Sequence, residues 1–282
     1  MVAPGTLQEF SDFTRETESA TVESSGSLTA FWGSEGAEPN LSLRNFTGIV
    51  ELSPADQVVT VRTGTRIADL QTELADAGLW FPFESTLPSP IGEPDATIAE
   101  SLALALPHAG RFGNWRDWVL GATVLLSDGT TPKSGSRVVK SVAGYDAHKF
   151  FVGARHTLGL FLQVHLRVRS LHEKRESDHI VTGNQAFQAT APIRIIRLDA
   201  SLFQAALGSN DFVWADPKQN LIWTTGSLVR DFEIEWRSYS GSDNWRIRDP
   251  ELRRWMCRAK KVLDPRGFWN PRESKCFQED DR

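Results

Sequence analysis

The spacing of apolar residues divides the chain into short helices and strands. Leu7, Phe10 and Phe13 recur at helical spacing among acidic and polar residues, predicting an opening helix. Gly48 to Leu52 and Gln57 to Arg62 are rich in β-branched residues and alternate, so two strands are expected, joined by a turn at Ser53-Pro54-Ala55-Asp56. After Gly64, the residues Ile67, Leu70, Leu74 and Ala77 mark one face of a helix that Gly78 ends. Pro82, Pro88, Pro90, Gly92 and Pro94 then make a long connection of the kind that wraps or covers a site. Thr97 to Leu106 is expected as a helix, with Thr97 or Asp95 as its N-cap. Val119 to Leu126 is an apolar strand closed by a turn at Ser127-Asp128-Gly129-Thr130. From Leu160 to Arg169, Leu162, Val164, Leu166 and Val168 alternate with Gln163, His165, Arg167 and Arg169, which predicts a half-buried strand.

The pattern changes after Leu171, where a charged run from His172 to Asp178 marks a boundary. Between Ile180 and Asn244 the chain holds Trp214, Trp223 and Trp236 and short strand-like runs such as Asn220 to Thr225, so a second, smaller unit is expected. Pro250 to Leu263 reads as a charged amphipathic helix, ended by Asp264-Pro265. The expected division is residues 1–171 as the main domain, 172–249 as a small one, and 250–282 as a helix and tail returning to the first.

The 282-residue length agrees with about two domains. A net charge of −5 without a long basic run argues against nucleic acid or an anionic membrane surface as the principal partner. No stretch approaches the roughly 20 apolar residues of a membrane span. Glu9, Asp12, Glu16 and Glu18 are the wrong chemistry for a secretory signal. Cys257 and Cys276 form neither a disulfide framework nor a CxxC metal or iron–sulfur motif. A protein of a reducing compartment, the cytoplasm, is expected.

Conventional catalytic signatures are missing. His108, His148, His156, His165, His172 and His179 show no metal-binding spacing, so no metal is expected. There is neither a GxSxG nucleophile elbow nor a GxGxxG after a strand. Three places instead put small residues where backbone could approach a ligand: Ser24 to Leu28, Ala96 to Ser101, and Lys140 to Leu160. Loop amides near a helix start favour a phosphate, because unpaired N–H groups and the helix dipole both attract an anion. Ten tryptophans raise the alternative of a binding module that stacks sugars, although indoles mostly serve as core anchors.

Two segments, Val58 to Asp69 (VVTVRTGTRIAD) and Lys140 to Gly159 (KSVAGYDAHKFFVGARHTLG), resemble the FAD-binding, PCMH-type domain of the vanillyl-alcohol-oxidase class. The run Arg116 to Gly121 is similar too. Within that class the likeness is to the smaller FAD-domain subunit of bacterial glycolate oxidase, through Asn45 to Val50, Lys140 to Asp146 and the C-terminal Asp264-Pro265-Arg266-Gly267-Phe268-Trp269-Asn270-Pro271. It covers about 20–171 and the last thirty residues.

The resemblance implies an α+β, two-lobed PCMH-type FAD-binding domain with a reduced cap, 172–249. FAD would lie between the lobes, its pyrophosphate on backbone amides. The first loop would be Ser24, Ser25, Gly26, Ser27 and Leu28, and the second Thr97, Ile98, Ala99, Glu100 and Ser101. Asn114, Gly144, Gly159 and Leu160 would approach the rest of the cofactor. The first loop has no histidine, which implies non-covalent FAD. The implied activity is oxidation of a small 2-hydroxy acid such as glycolate, with electrons passed to partners: a second FAD-domain subunit and an iron–sulfur subunit. Membrane association would come only through those partners. No catalytic residue is carried over.

This chain departs from the family at three points. The first loop has a single glycine, Gly26. A Gly-Gly pair is replaced by Ala99-Glu100, whose carboxylate would repel a diphosphate unless it turns outward or pairs with an arginine such as Arg111. Gly-Ser-x-Gly is replaced by Gly153-Ala154-Arg155-His156. These departures leave an alternative open, a cofactor-free structural or assembly subunit descended from the same fold.

Overall fold

The computed structural model describes residues 1–23, 38–82, 96–105, 115–137, 146–174, 181–184, 194–212, 214–217, 220–224, 237–238 and 250–271. Helix α1 spans Leu7–Glu16; the Thr6 hydroxyl caps it by accepting the Glu9 N–H, and Phe10 and Phe13 are buried at the expected spacing. Strands β1 (Ile49–Ser53) and β2 (Val58–Arg62) form an antiparallel pair with Ser53 opposite Val58. Helix α2 (Ile67–Asp76) buries Ile67, Leu70 and Leu74, and after Gly78 the chain enters β3 (Leu79–Trp80). Helices α3 (Ile98–Leu104) and α4 (Trp115–Trp118) precede β4 (Val119–Leu125), which turns into β5 (Lys133–Gly135). A 3₁₀ turn at Ala147–Phe150 leads to β6 (Leu160–Arg167).

These strands form one sheet in the order β1-β2-β6-β4-β5. Strand β6 is central, antiparallel to both β2 and β4. Its burial explains its sequence: Leu160, Phe161 and Leu162 are buried in succession, and only then does the alternation with Gln163, His165 and Arg167 begin. The strand expected to run to Arg169 is divided. Val168 donates its N–H to Gln57, and the next residues, β7 (Arg169–Ser170), pair with β3 in a separate two-stranded sheet. The main core joins Val59, Leu70, Leu74, Ile98, Leu102, Trp115, Val164 and Leu166.

A second sheet, in the order β12-β9-β11-β10-β8, uses β8 (Val181–Thr182), β9 (Arg194–Arg197), β10 (Trp214–Asp216), β11 (Leu221–Thr224) and β12 (Arg237–Ser238). With α5 (Ala200–Ser209) it has a small core of its own around Phe203, Phe212, Ala215 and Ile222. Helix α6 (Pro250–Leu263) brings the chain back: Met256 and Leu263 pack against the main core. The fold is thus a mixture of helix and antiparallel sheet. No helix among the described residues is long and apolar enough to cross a membrane.

Candidate functional site

Helix α3 is the centre of the site. Thr97 and Glu100 form a capping box: Thr97 Oγ1 accepts the Glu100 N–H at 3.3 Å, and Glu100 Oε2 accepts from the Thr97 N–H at 2.9 Å and from Thr97 Oγ1 at 3.0 Å. The Glu100 carboxylate therefore neither turns outward nor faces the helix start as a bare charge. It is buried, with Oε2 held in the cap. The remaining amides of the first turn are also engaged, because Ile98 donates to the Thr65 carbonyl, Ala99 to Thr63 and Ser101 to Thr97. The Ser101 hydroxyl is the exception, fully buried with no hydrogen-bond partner.

The other end of α3 meets the segment before β6. Ala105 closes the helix in a left-handed conformation, and the carbonyls of Leu102 and Ala103 accept the N–H groups of Gly153 and Arg155 at 2.8 and 2.9 Å. Arg155 and His156 both have positive φ, 51° and 54°. Left-handed conformations cost a non-glycine residue roughly 1–2 kcal/mol each, so the surroundings must enforce them. At Gly159 a β-carbon would come within 2.9 Å of the Leu125 carbonyl, so glycine is needed for close approach there.

That enforcement comes from the C-terminus. Asn270 Nδ2 donates to the Arg155 carbonyl at 2.8 Å, while its Oδ1 accepts the Val22 N–H at 3.0 Å. Lys260 Nζ donates to the Thr157 carbonyl at 2.5 Å and is ion-paired to Asp264, whose oxygens also accept the N–H groups of Phe268 and Trp269. Trp269 bridges Ala20, with the Ala20 N–H donating to Phe268 and the Asn270 N–H to Ala20. Arg266 fans out to the carbonyls of Thr14, Thr17 and Ser127. Asp264 and Asn270, which belong to the C-terminal segment that carried the resemblance, are thus positioning residues, together with Lys260, which sequence reasoning did not single out. The available signal was local: a lysine four residues before an aspartate on one helix face.

The electrostatics of this region are set by burial. His156 is buried, and desolvation pushes its imidazole down to about 3, so it stays neutral at any ordinary pH. His148, bonded to Ser134 and the Val119 carbonyl, is also lowered, mainly by burial. His165 pairs with the Thr60 hydroxyl at 2.9 Å and is lowered by burial and by nearby Arg137. Among the described residues no group of three or more His, Cys, Asp and Glu could hold a metal ion.

Of the residues expected to hold the cofactor, Thr97, Ile98, Ala99 and Ser101 lie on α3 or its cap, and Gly159 and Leu160 open β6. Ala99 and Leu160 share one apolar cluster with Ala20 and Val22, the segment that leads into the first loop. Ser24, Ser25, Gly26, Ser27, Leu28, Asn114 and Gly144 lie outside the described residues, as does Arg111.

The donor set fits FAD in a defined sense. The Glu100 carboxylate is buried and tied back to Thr97, and a buried hydroxyl at Ser101 is left over for a ligand atom. The amides of α3 are not left over, so diphosphate contacts would have to come from loops beside it.

Comparison with known proteins agrees with this cofactor. Residues 1–135 match the family described as FAD binding domain. The chain is 33% identical over 187 residues to "Probable D-lactate dehydrogenase, mitochondrial" of Danio rerio, covering 62% of this chain and 37% of that one. It is 34% identical over 141 residues to glycolate oxidase subunit GlcE of Escherichia coli, covering 49% and 39%. It is 28% identical over 178 residues to D-2-hydroxyglutarate dehydrogenase of Stutzerimonas stutzeri, covering 62% and 37%. The chain therefore spans little more than a third of the length of these relatives. Over residues 1–135, just under half its length, the chain is thus similar to a domain that binds FAD.

Proposed function

We propose that this chain is the FAD-binding subunit of a 2-hydroxy-acid dehydrogenase complex. The observation that carries the reading is the meeting of α3, the start of β6 and the segment before the first loop in one cluster beneath Ala99. The relatives add the substrate class: D-lactate, glycolate and D-2-hydroxyglutarate are all 2-hydroxy acids. FAD would be held without a covalent bond by Thr97, Ile98, Ala99, Ser101, Gly159 and Leu160, with Ser24 to Leu28, Asn114 and Gly144 completing the cradle. Bound FAD supplies a two-electron acceptor for the hydride on the substrate's α-carbon. The residues of this chain shape the site: the α3 cap ties the Glu100 carboxylate to Thr97, and the Lys260, Asp264 and Asn270 contacts hold the 155–157 turn. Buried His156 stays neutral and adds no charge to the 155–157 turn.

Electron transfer onward falls to partners, a second FAD-domain subunit and an iron–sulfur subunit, since this chain has two cysteines and no cluster motif. Residues 1–171 would form the FAD domain, 172–249 a reduced cap and 250–282 the returning helix and tail. The separate core around Phe203 and the packing of α6 on the main core support that division. A cytoplasmic location goes with this reading.

A second reading, a cofactor-free assembly subunit, is favoured by one observation: the first-turn amides of α3 are already bonded within the protein. The visible spectrum after incubation with FAD and desalting separates the two. Flavin bands at a stoichiometric level, bleached by glycolate or D-lactate under anaerobic conditions, are expected. A colourless protein would refute the first reading and leave the second. Bands that no 2-hydroxy acid bleaches would keep FAD and remove the substrate class.

A further inference from the structure

Helix α6 carries two parallel stripes that the cofactor site does not use. Trp255, Ala259 and Val262 recur at i, i+4 and i+7, as do Arg254, Arg258 and Lys261 one position earlier along the helix. Neither stripe is the inward face, which Cys257, Lys260 and Asp264 form. The apolar stripe is open: Trp255 is 66% exposed and Val262 77%. Opposite lies the 3₁₀ turn, with Phe150 62% exposed. Between them runs a groove of about 1060 Å³, lined by Phe150, Phe151, Trp255, Met256 and Val262 among others. An apolar opening of this kind marks an interaction site more often than chance exposure.

The charges choose the occupant. Among the described residues, Arg116, Lys149 and Arg258 line the groove against one carboxylate, Asp146, which is ion-paired with Lys149, in a chain whose net charge is −5. Arg258 also sits over the Trp255 ring at 5.5 Å, which couples the basic stripe to the apolar one. We propose that this groove docks an amphipathic helix of a partner protein, one whose apolar stripe is flanked by acidic residues at the same i, i+4, i+7 spacing. A second copy joined through a two-fold axis would bring the same excess of cations to the contact, which disfavours self-association. A concave apolar strip also suits an inserted helix better than a lipid surface.

The test uses the full chain and two labelled designed helices that share one leucine stripe, flanked by glutamate in one and by lysine in the other. Fluorescence anisotropy is expected to show binding of the glutamate helix, weakening with salt, and much weaker binding of the lysine helix. Val262→Glu should weaken the glutamate helix by about tenfold or more. Arg258→Glu should reverse the preference between the two helices. Val262 and Arg258 are exposed, so unchanged melting temperatures would confirm that both variants fold. Equal binding of the two helices, no binding of either, or no effect of Val262→Glu overturns the proposal. So would a wild-type dimer that Val262→Glu dissociates, or sedimentation of the protein with phosphatidylserine-containing vesicles while the glutamate helix stays unbound.

Discussion

Replacing His156 by glutamine tests how completely the 155–157 turn is sealed. In the native protein the imidazole is buried and held neutral, with its pKa pushed down to about 3 by desolvation. In the unfolded chain it titrates at its ordinary value of 6.5. Below that value the unfolded state takes up a proton that the native state refuses, so stability is fully present above pH 6.5 and lost as the pH falls toward 3. Each pH unit in the window removes up to about 1.4 kcal/mol, so from pH 7 to pH 5 the loss due to this residue is about 2 kcal/mol. Glutamine is polar but does not titrate, and the variant should lack that part of the loss. Urea unfolding of both proteins at the two pH values gives the difference directly. His148 and His165, also lowered, contribute equally to both proteins and cancel. Equal pH dependence in the two proteins would refute the reasoning, because it would mean that His156 is protonated or solvated in the fold.

Lys260→Met leaves the Asp264 carboxylate buried without its cation and the Thr157 carbonyl without a donor, so unfolding should become easier by about 3 kcal/mol. Chemical denaturation measures this, and adding Asp264→Asn to the variant should recover part of the loss. Thr97→Ala removes the cap of α3 and one donor to buried Glu100, an expected cost of about 1–2 kcal/mol that Thr97→Ser should largely avoid. A melting curve for each checks both values.

Much of the main sheet is legible from local pattern. The alternation at Val164, Leu166 and Val168, the spacing of Ile67, Leu70 and Leu74, and the helix start at Thr97, one of the two N-caps considered, are each written within a few residues, because pleat and helix periods are properties of the backbone itself. The part Glu100 plays in its own cap was not read from the sequence, because a carboxylate three residues after a threonine folds back only once the helix start is built around it. The division of the strand after Val168 was decided by β3, whose Leu79 and Trp80, some ninety residues earlier in the chain, take Ser170 and Arg169 as partners. The left-handed turn at Arg155 and His156 is likewise held from afar, by Asn270 and Lys260. Arginine and histidine at 155 and 156 do not by themselves predict such a turn. Only tertiary hydrogen bonds, made where water is excluded, can offset the strain of holding it.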